Sequence, residues 1–340
     1  MTVKANSSTQ NEDNKVLKDN SCFFKKYQQR IITSIVLIMA VSVWMFIGAV
    51  YLEPIFGVKP LWSVYTFMVI NTLILIGCLW EIINLKQAAK WPLVLKLLII
   101  TMGIIFLWFP IGKETFGPYL YNHLWFETWM SMIVLFGFIA IFLLIAYRAK
   151  TFQLGDVLFV FLWVIYLVLA FKAVNFLMLS QINSVQKLGW PTLLFLFVIV
   201  MSNDIGAFIG GVIYGKNKLA PRVSPNKTWE GAITGIGVAM VLSMITVIVF
   251  LQTSNYNPLP FYEGSIGKAP IYIAYVAVVF ILSLISQMGD LLFSYLKRNY
   301  GVKDFSNIFP DHGGLLDRLD SFSGVAIAGF IVALLFLNVI

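Results

Sequence analysis

The sequence predicts an all-α polytopic membrane protein with about nine transmembrane helices, its N-terminus cytoplasmic and its C-terminus outside. Three observations carry that expectation. Hydrophobic residues make up 59% of the 340 positions and charged residues 12%, whereas soluble domains hold about 25% charge; the missing charge implies a surface that faces something apolar. Nine apolar runs, at 31–52, 61–80, 92–110, 129–147, 156–178, 191–213, 231–251, 271–289 and 321–340, approach the ~20 residues a helix needs to cross a bilayer core. Lys and Arg are also unevenly placed. With the N-terminus inside, 18 fall in cytoplasmic segments, 4 in outside loops, and 2, Lys96 and Lys172, within runs. Membrane proteins carry that cytoplasmic excess, and both halves of the chain agree on it.

Residues 1–30 are polar, rich in Asn, Ser, Lys and Gln, and read as a disordered cytoplasmic tail. The first run is long, bulky and far from Met1, so it is expected to be a retained span and not a signal peptide. Segment 31–190 then forms an N-terminal transmembrane region, and 191–340 a catalytic transmembrane region with cytoplasmic motif loops. Lys96 and Lys172 are expected to snorkel. Glu81, which ends the second run, reads as structural. The two cysteines, Cys22 and Cys78, predict neither a disulfide nor a metal site. Gly206, Gly210, Gly211 and Gly215, then Gly231 and Gly235, fall at spacings that let helices pack closely. The net charge of +8 lies in short loops between spans. It is a topology signal first, and a match to anionic headgroups or phosphate-bearing substrates second; nucleic acid is not an expected partner.

Two polar stretches fall on the cytoplasmic side of this greasy chain. The later one begins within the eighth run, where Asp290 lies at membrane depth; an acid there is costly unless paired or bound to a cation. Asp290, Ser294 and Lys297 share one helical face, and Arg298 follows. Further on come Lys303, His312, Gly313 and Gly314, then Asp317, Arg318 and Asp320. Asp317 and Asp320 lie on one face of a helix and repel each other unless a cation intervenes; hard carboxylate oxygens suit Mg²⁺. Pairing of these acids with Arg318 is the plainer reading. The earlier stretch holds Asp204, then Lys216, Lys218, Arg222, Ser224, Lys227 and Thr228. Lys216 and Lys218 read as topology signals. Lys227 reads as a phosphate ligand, beside a helix start that Ser224 or Thr228 caps and that is itself an anion site.

No Ser-His-Asp or Cys-His arrangement is evident. Gly211-Val-Ile-Tyr-Gly215-Lys216-Asn217 lacks the spacing and the hydroxyl of a phosphate-binding P-loop. The residues support a cytoplasm-facing, metal-dependent phosphate-transfer site, without identifying its substrates.

The stretch from Ser294 to Asp320 resembles the signature of phosphatidate cytidylyltransferases (CDP-diacylglycerol synthases), with every fixed position matched. Ser224-Pro225-Asn226-Lys227-Thr228-Trp229-Glu230-Gly231 resembles that family's Ser-Pro-Lys-Lys-Thr-x-Glu-Gly segment, with Asn226 in place of a common Lys, and Phe208 stands where Tyr is frequent. The resemblance covers about residues 200–324. It implies transfer of CMP from CTP to phosphatidic acid, giving CDP-diacylglycerol and pyrophosphate. It implies Asp290, Asp317 and Asp320 as ligands of Mg²⁺, with a second divalent metal or a monovalent cation such as K⁺. Lys227 and His312 join them as catalytic candidates. Ser224, Arg222, Ser294, Lys297, Arg298, Lys303, Arg318 and Asp204 are the implied phosphate- or substrate-binding residues. A homodimer among membrane lipids, in a bacterial inner membrane, is the expected setting. Two rivals stay open: a CTP-dependent kinase of a polyprenol-type lipid, and a secondary transporter, although no inverted repeat of the transporter kind is visible.

Overall fold

In hydrocarbon every backbone N–H and C=O must be satisfied within its own segment, so apolar runs of this length fold as helices. The structure, a computed structural model, describes residues 32–50, 61–85, 90–108, 154–179, 181–182, 186–253, 257–259, 261, 268–309 and 313–337, with Phe136, Gly137, Ile139, Ala140, Leu143 and Tyr147. The predicted tail, 1–30, and His312 lie outside these residues.

Seven described helices are long and apolar enough to cross a membrane. They are α1 (Ile32–Val50), α2 (Leu61–Ile83), α4 (Leu154–Leu179), α5 (Trp190–Tyr214), α6 (Trp229–Thr253), α7 (Lys268–Asn299) and α8 (Leu316–Leu337). The third predicted run is the shorter helix α3 (Leu93–Trp108), of 16 residues, about 24 Å long at the helical rise. Of the fourth run only the six isolated positions named above are described, each helical. The protein is thus an all-α polytopic membrane protein. Two small antiparallel hairpins interrupt it: β1 (Gln181–Ile182) with β2 (Gln186–Lys187), and β3 (Lys218–Ala220) with β4 (Ser224–Thr228).

Helix α7 differs most from the expected span. It runs 32 residues, about 48 Å, well beyond a ~30 Å hydrocarbon core. It therefore carries Asp290, Ser294, Lys297 and Arg298 onward as one rigid rod. Lys297 and Arg298 in its last turn complement the negative end of the helix dipole.

Two apolar clusters hold the helices. One gathers Phe67, Phe176, Phe195, Tyr275 and Leu282, all fully buried or nearly so. The other joins α2, α3 and α4 to the site end of α7 and α8, through Leu79, Ile82, Leu95, Val164, Phe293 and Leu316. Phe293 is its hinge, with Trp163 at 4.8 Å and Phe305 at 6.0 Å, both edge-on. Helices α5 and α6 pack tightest: a Cβ on Gly235 would lie 2.7 Å from Asn203 O, and one on Gly231 would lie 3.0 Å from the Gly211 Cα. The small residues of the earlier stretch therefore serve helix packing, as their spacing predicts.

Lys96 reaches toward the end of α2. It is 7% exposed, donates to Asn84 Oδ1 at 2.6 Å and sits 5.6 Å from the Trp80 ring centre. Partners at the end of α2 thus satisfy the ammonium.

Candidate active site

The site begins where hairpin β3–β4 turns into α6. Thr228 Oγ1 accepts the Gly231 N–H at 3.1 Å and caps the helix. Glu230 folds back, its Oε2 accepting the Lys216 N–H at 3.1 Å and its Oε1 the Asn217 side-chain amide at 2.7 Å. Trp229 N–H donates to Asn217 O at 3.0 Å. These bonds clasp the hairpin against the start of α6 and hold Lys227 at the mouth of a cavity of about 620 Å³. The cavity lies among α5, α6, α7 and the hairpin. Phe208, Val212 and Leu219 give it an apolar wall, and Asp204, Lys227 and Asp290 give it charge.

Helix α7 is fixed in rotation by a part-buried amide. Gln287 Nε2 donates to Asn203 Oδ1 of α5 and to Ala232 O of α6, both at 2.9 Å. Three residues on, less than one turn, Asp290 therefore faces the cavity. Its Oδ2 pairs with Lys227 Nζ at 2.5 Å, the two side chains 29% and 27% exposed. Ser294 Oγ donates to Asp290 Oδ1 at 3.3 Å.

Gly289 brings α8 alongside. A Cβ there would lie 2.8 Å from the backbone oxygen of Asp320, so only glycine permits this approach. Asp320 consequently lies within electrostatic range of Asp290, Asp204 and Lys297. Gly289→Ala is expected to part α7 from α8 and lower turnover at least ~10-fold, since misplacement by about an ångström can cost ~100-fold. Activity assays beside a thermal melt check this.

Asp317 is placed differently. It is 5% exposed and pairs with Lys297 Nζ, itself 12% exposed, at 2.8 Å. Its other oxygen accepts the N–H groups of Phe305 at 3.0 Å and Gly314 at 2.9 Å. Both oxygens are engaged by the protein, which makes Asp317 the organiser of the 305–314 loop. Gly313, at φ 78°, adopts a left-handed conformation that side chains disfavour, and its carbonyl accepts the Phe309 N–H at 2.9 Å.

The candidate residues thus separate into groups. Asp204, Ser224, Lys227 and Asp290 line the cavity, with Ser294 and Asp320 beside them; Lys297 is buried against Asp317. Arg298 Nε donates to Val223 O at 3.3 Å, bracing the hairpin. Arg222, Lys303 and Arg318 are exposed. One residue carries more than its sequence reading: Glu81, 3% exposed, whose carboxylate accepts from Ser306 Oγ, Leu315 N and Leu316 N. It shows the same signal in the sequence as Asp290, an acid at the end of an apolar run.

The donors fit a hard divalent cation in chemistry and charge. Asp204, Asp290, Asp317 and Asp320 face two lysines, an excess of negative charge. No three His, Cys, Asp or Glu side chains among the described residues converge closely enough to form a metal cage. Mg²⁺ needs none; it is usually held by one or two carboxylates with substrate phosphates and water.

Comparison with known proteins places this arrangement in context. The model of the cytidylyltransferase family matches residues 28–337. The phosphatidate cytidylyltransferase of Haemophilus influenzae is 32% identical over 301 residues, covering 86% of this chain and 94% of that protein. The protein of the same name from Bacillus subtilis is 37% identical over 186 residues, covering 54% and 61%. That of Staphylococcus haemolyticus is 36% identical over 198 residues, covering 57% and 67%.

Proposed function

We propose a function from one premise: this chain belongs to the cytidylyltransferase family. It is a membrane-embedded nucleotidyltransferase, and it acts as a phosphatidate cytidylyltransferase. The observation that carries the reading is the Lys227–Asp290 pair, partly exposed in a cavity whose wall is apolar. A site for this reaction must hold a triphosphate and a lipid phosphate together.

In the reaction a phosphatidate oxygen bonds to the α-phosphorus of CTP. The bond from that phosphorus to the bridging oxygen breaks, pyrophosphate leaves with the electron pair, and CDP-diacylglycerol remains in the membrane. Such transfers depend on positioning and charge neutralisation more than on a covalent nucleophile. Lys227 releases Asp290 to hold a phosphate, beside the positive end of the α6 dipole. Ser224 and Ser294 orient phosphate oxygens, and Phe208 and Val212 lie along the glycerol end of the lipid. Asp290 and Asp320 would hold Mg²⁺, with Asp317 as a further ligand, and a second divalent ion or K⁺ would balance the remaining negative charge. The bound metal would neutralise charge on the transferring phosphoryl group. Arg222, Lys303, Arg298 and Arg318 draw in the triphosphate by charge, and the resemblance implies His312 as a catalytic candidate.

The nine-span topology, with the site on the cytoplasmic face of a bacterial inner membrane, is supported by the 18-to-4 partition of basic residues. In a Cys22→Ser background, Lys216→Cys should react with an impermeant thiol reagent only in inside-out vesicles, and Lys59→Cys only in right-side-out ones; the reverse pattern sinks the topology. A homodimer is the assembly the resemblance implies, to be measured by light scattering in detergent.

The reaction class is tested by its water-soluble product. Pyrophosphate released from CTP only when phosphatidic acid is present supports the reading. Release of CDP, with phosphorylation of an added lipid alcohol, would assign the chain to the lipid kinases instead.

A further inference from the structure

We propose that Glu81 is a positioning residue of the active site, holding, from the opposite half of the chain, the loop that joins Lys297 to Asp317. The proposal rests on the functional reading above. Glu81 ends α2, more than 220 residues before the groups it binds. Its Oε1 accepts from Ser306 Oγ at 2.5 Å and Leu315 N at 2.9 Å, and its Oε2 accepts Leu316 N at 2.9 Å. Leu316 opens α8, so Glu81 supplies from a distance what a local cap would supply to orphan N–H groups, and its charge suits that helix end.

The loop is laced by two carboxylates in alternation. Glu81 takes Ser306, Leu315 and Leu316; Asp317 takes Phe305, Gly314 and Lys297. Releasing Glu81 frees the first turn of α8, which carries Asp317 and leads to Asp320. Gly314 approaches so closely that a Cβ on it would lie 2.5 Å from Glu81 Oε1 and 2.8 Å from its Cδ. Gly314→Ala therefore disturbs the same contact from the other side. Glu81 is not among the residues lining the cavity, so its loss should act on alignment in the transition state and not on ground-state CTP binding.

The test compares the full-length purified protein with Glu81→Ala, Glu81→Gln and Gly314→Ala. Turnover is measured with phosphatidic acid, CTP and Mg²⁺, and hydrogen exchange is followed in a peptide covering 313–320. Glu81→Ala should lower kcat about 100-fold while the KM for CTP moves less than about threefold, the signature of a transition-state effect. Glu81→Gln keeps one oxygen acceptor but presents an amide donor to Leu316 N–H, and should fall between. Gly314→Ala should reproduce the kcat-selective defect. Exchange at Leu315 and Leu316 should quicken in Glu81→Ala. A kcat within about threefold of the parent overturns the proposal, as does a loss of kcat that only follows the folded fraction with no rescue by Gln. If the parent makes no CDP-diacylglycerol, the functional reading fails on its own. Hydrogen exchange then decides for Glu81, unchanged protection overturning the proposal and quickened exchange supporting the loop contact.

Discussion

Asp290→Asn is expected to lower kcat by ~1000-fold, the scale of losing a charge-stabilising group at a reacting centre, while the protein stays folded. The argument rests on exposure. The Lys227–Asp290 side chains are 27% and 29% exposed, and pairs with that much solvent contribute only about 0–1 kcal/mol. Lys227, left without its partner, stays hydrated at the cavity mouth. Ser294 loses a charged acceptor yet keeps an amide oxygen, so α7 keeps its local bonding. The proposed Mg²⁺ site calls for the carboxylate itself, because a neutral amide oxygen brings no negative charge to a hard cation. A thermal melt close to that of the parent, together with a raised Mg²⁺ requirement for whatever turnover remains, is the expected result. An Asp290→Asn protein turning over within about tenfold of the parent would remove Asp290 from the chemistry.

Lys297→Met should fail by a different route. Lys297 and Asp317 are 12% and 5% exposed, and removing one partner of a buried pair costs on the order of 3–5 kcal/mol because the other charge is stranded. The cost should lie at the low end, since the Phe305 and Gly314 N–H groups still donate to Asp317. Expected results are a lowered melting temperature, poor yield in detergent and no measurable turnover. Adding Asp317→Asn to Lys297→Met removes the stranded charge, so the double variant should regain much of the stability and none of the activity. A double variant as unstable as the single one would contradict this account of the pair.

The contrast explains which parts of the site were legible in the sequence. Asp290 and Asp317 carry the same signal, acids beside basic residues near an apolar run, and both resemble motif positions. Their separate roles depend on solvent access, which spacing does not encode. Periodicity does not reveal either that Gln287 bonds two other helices, or that Glu81 reaches Ser306, Leu315 and Leu316. Those bonds join segments that only the packed fold brings together. The fold was more legible, because a chain in hydrocarbon has few choices: the long apolar runs became helices. The described departures have local causes. The α3 run is only 16 residues of helix, α7 continues past the predicted boundary because Leu, Phe and Tyr continue its apolar face, and the motif loop before α6 folds into a hairpin once Glu230 and Thr228 satisfy its ends. The division expected at residue 190 falls between Glu81 and the groups its carboxylate accepts from, Ser306, Leu315 and Leu316.

The central claim is that this site moves a cytidylyl group onto a lipid, and following the label tests it most directly. Purified protein in detergent is given phosphatidic acid, Mg²⁺ and CTP labelled at the α-phosphate, with Asp290→Asn as control. Label that enters the lipid phase with the parent and stays out of it with the variant is the predicted result. Label that stays in water as CDP while an added lipid alcohol gains phosphate would contradict it.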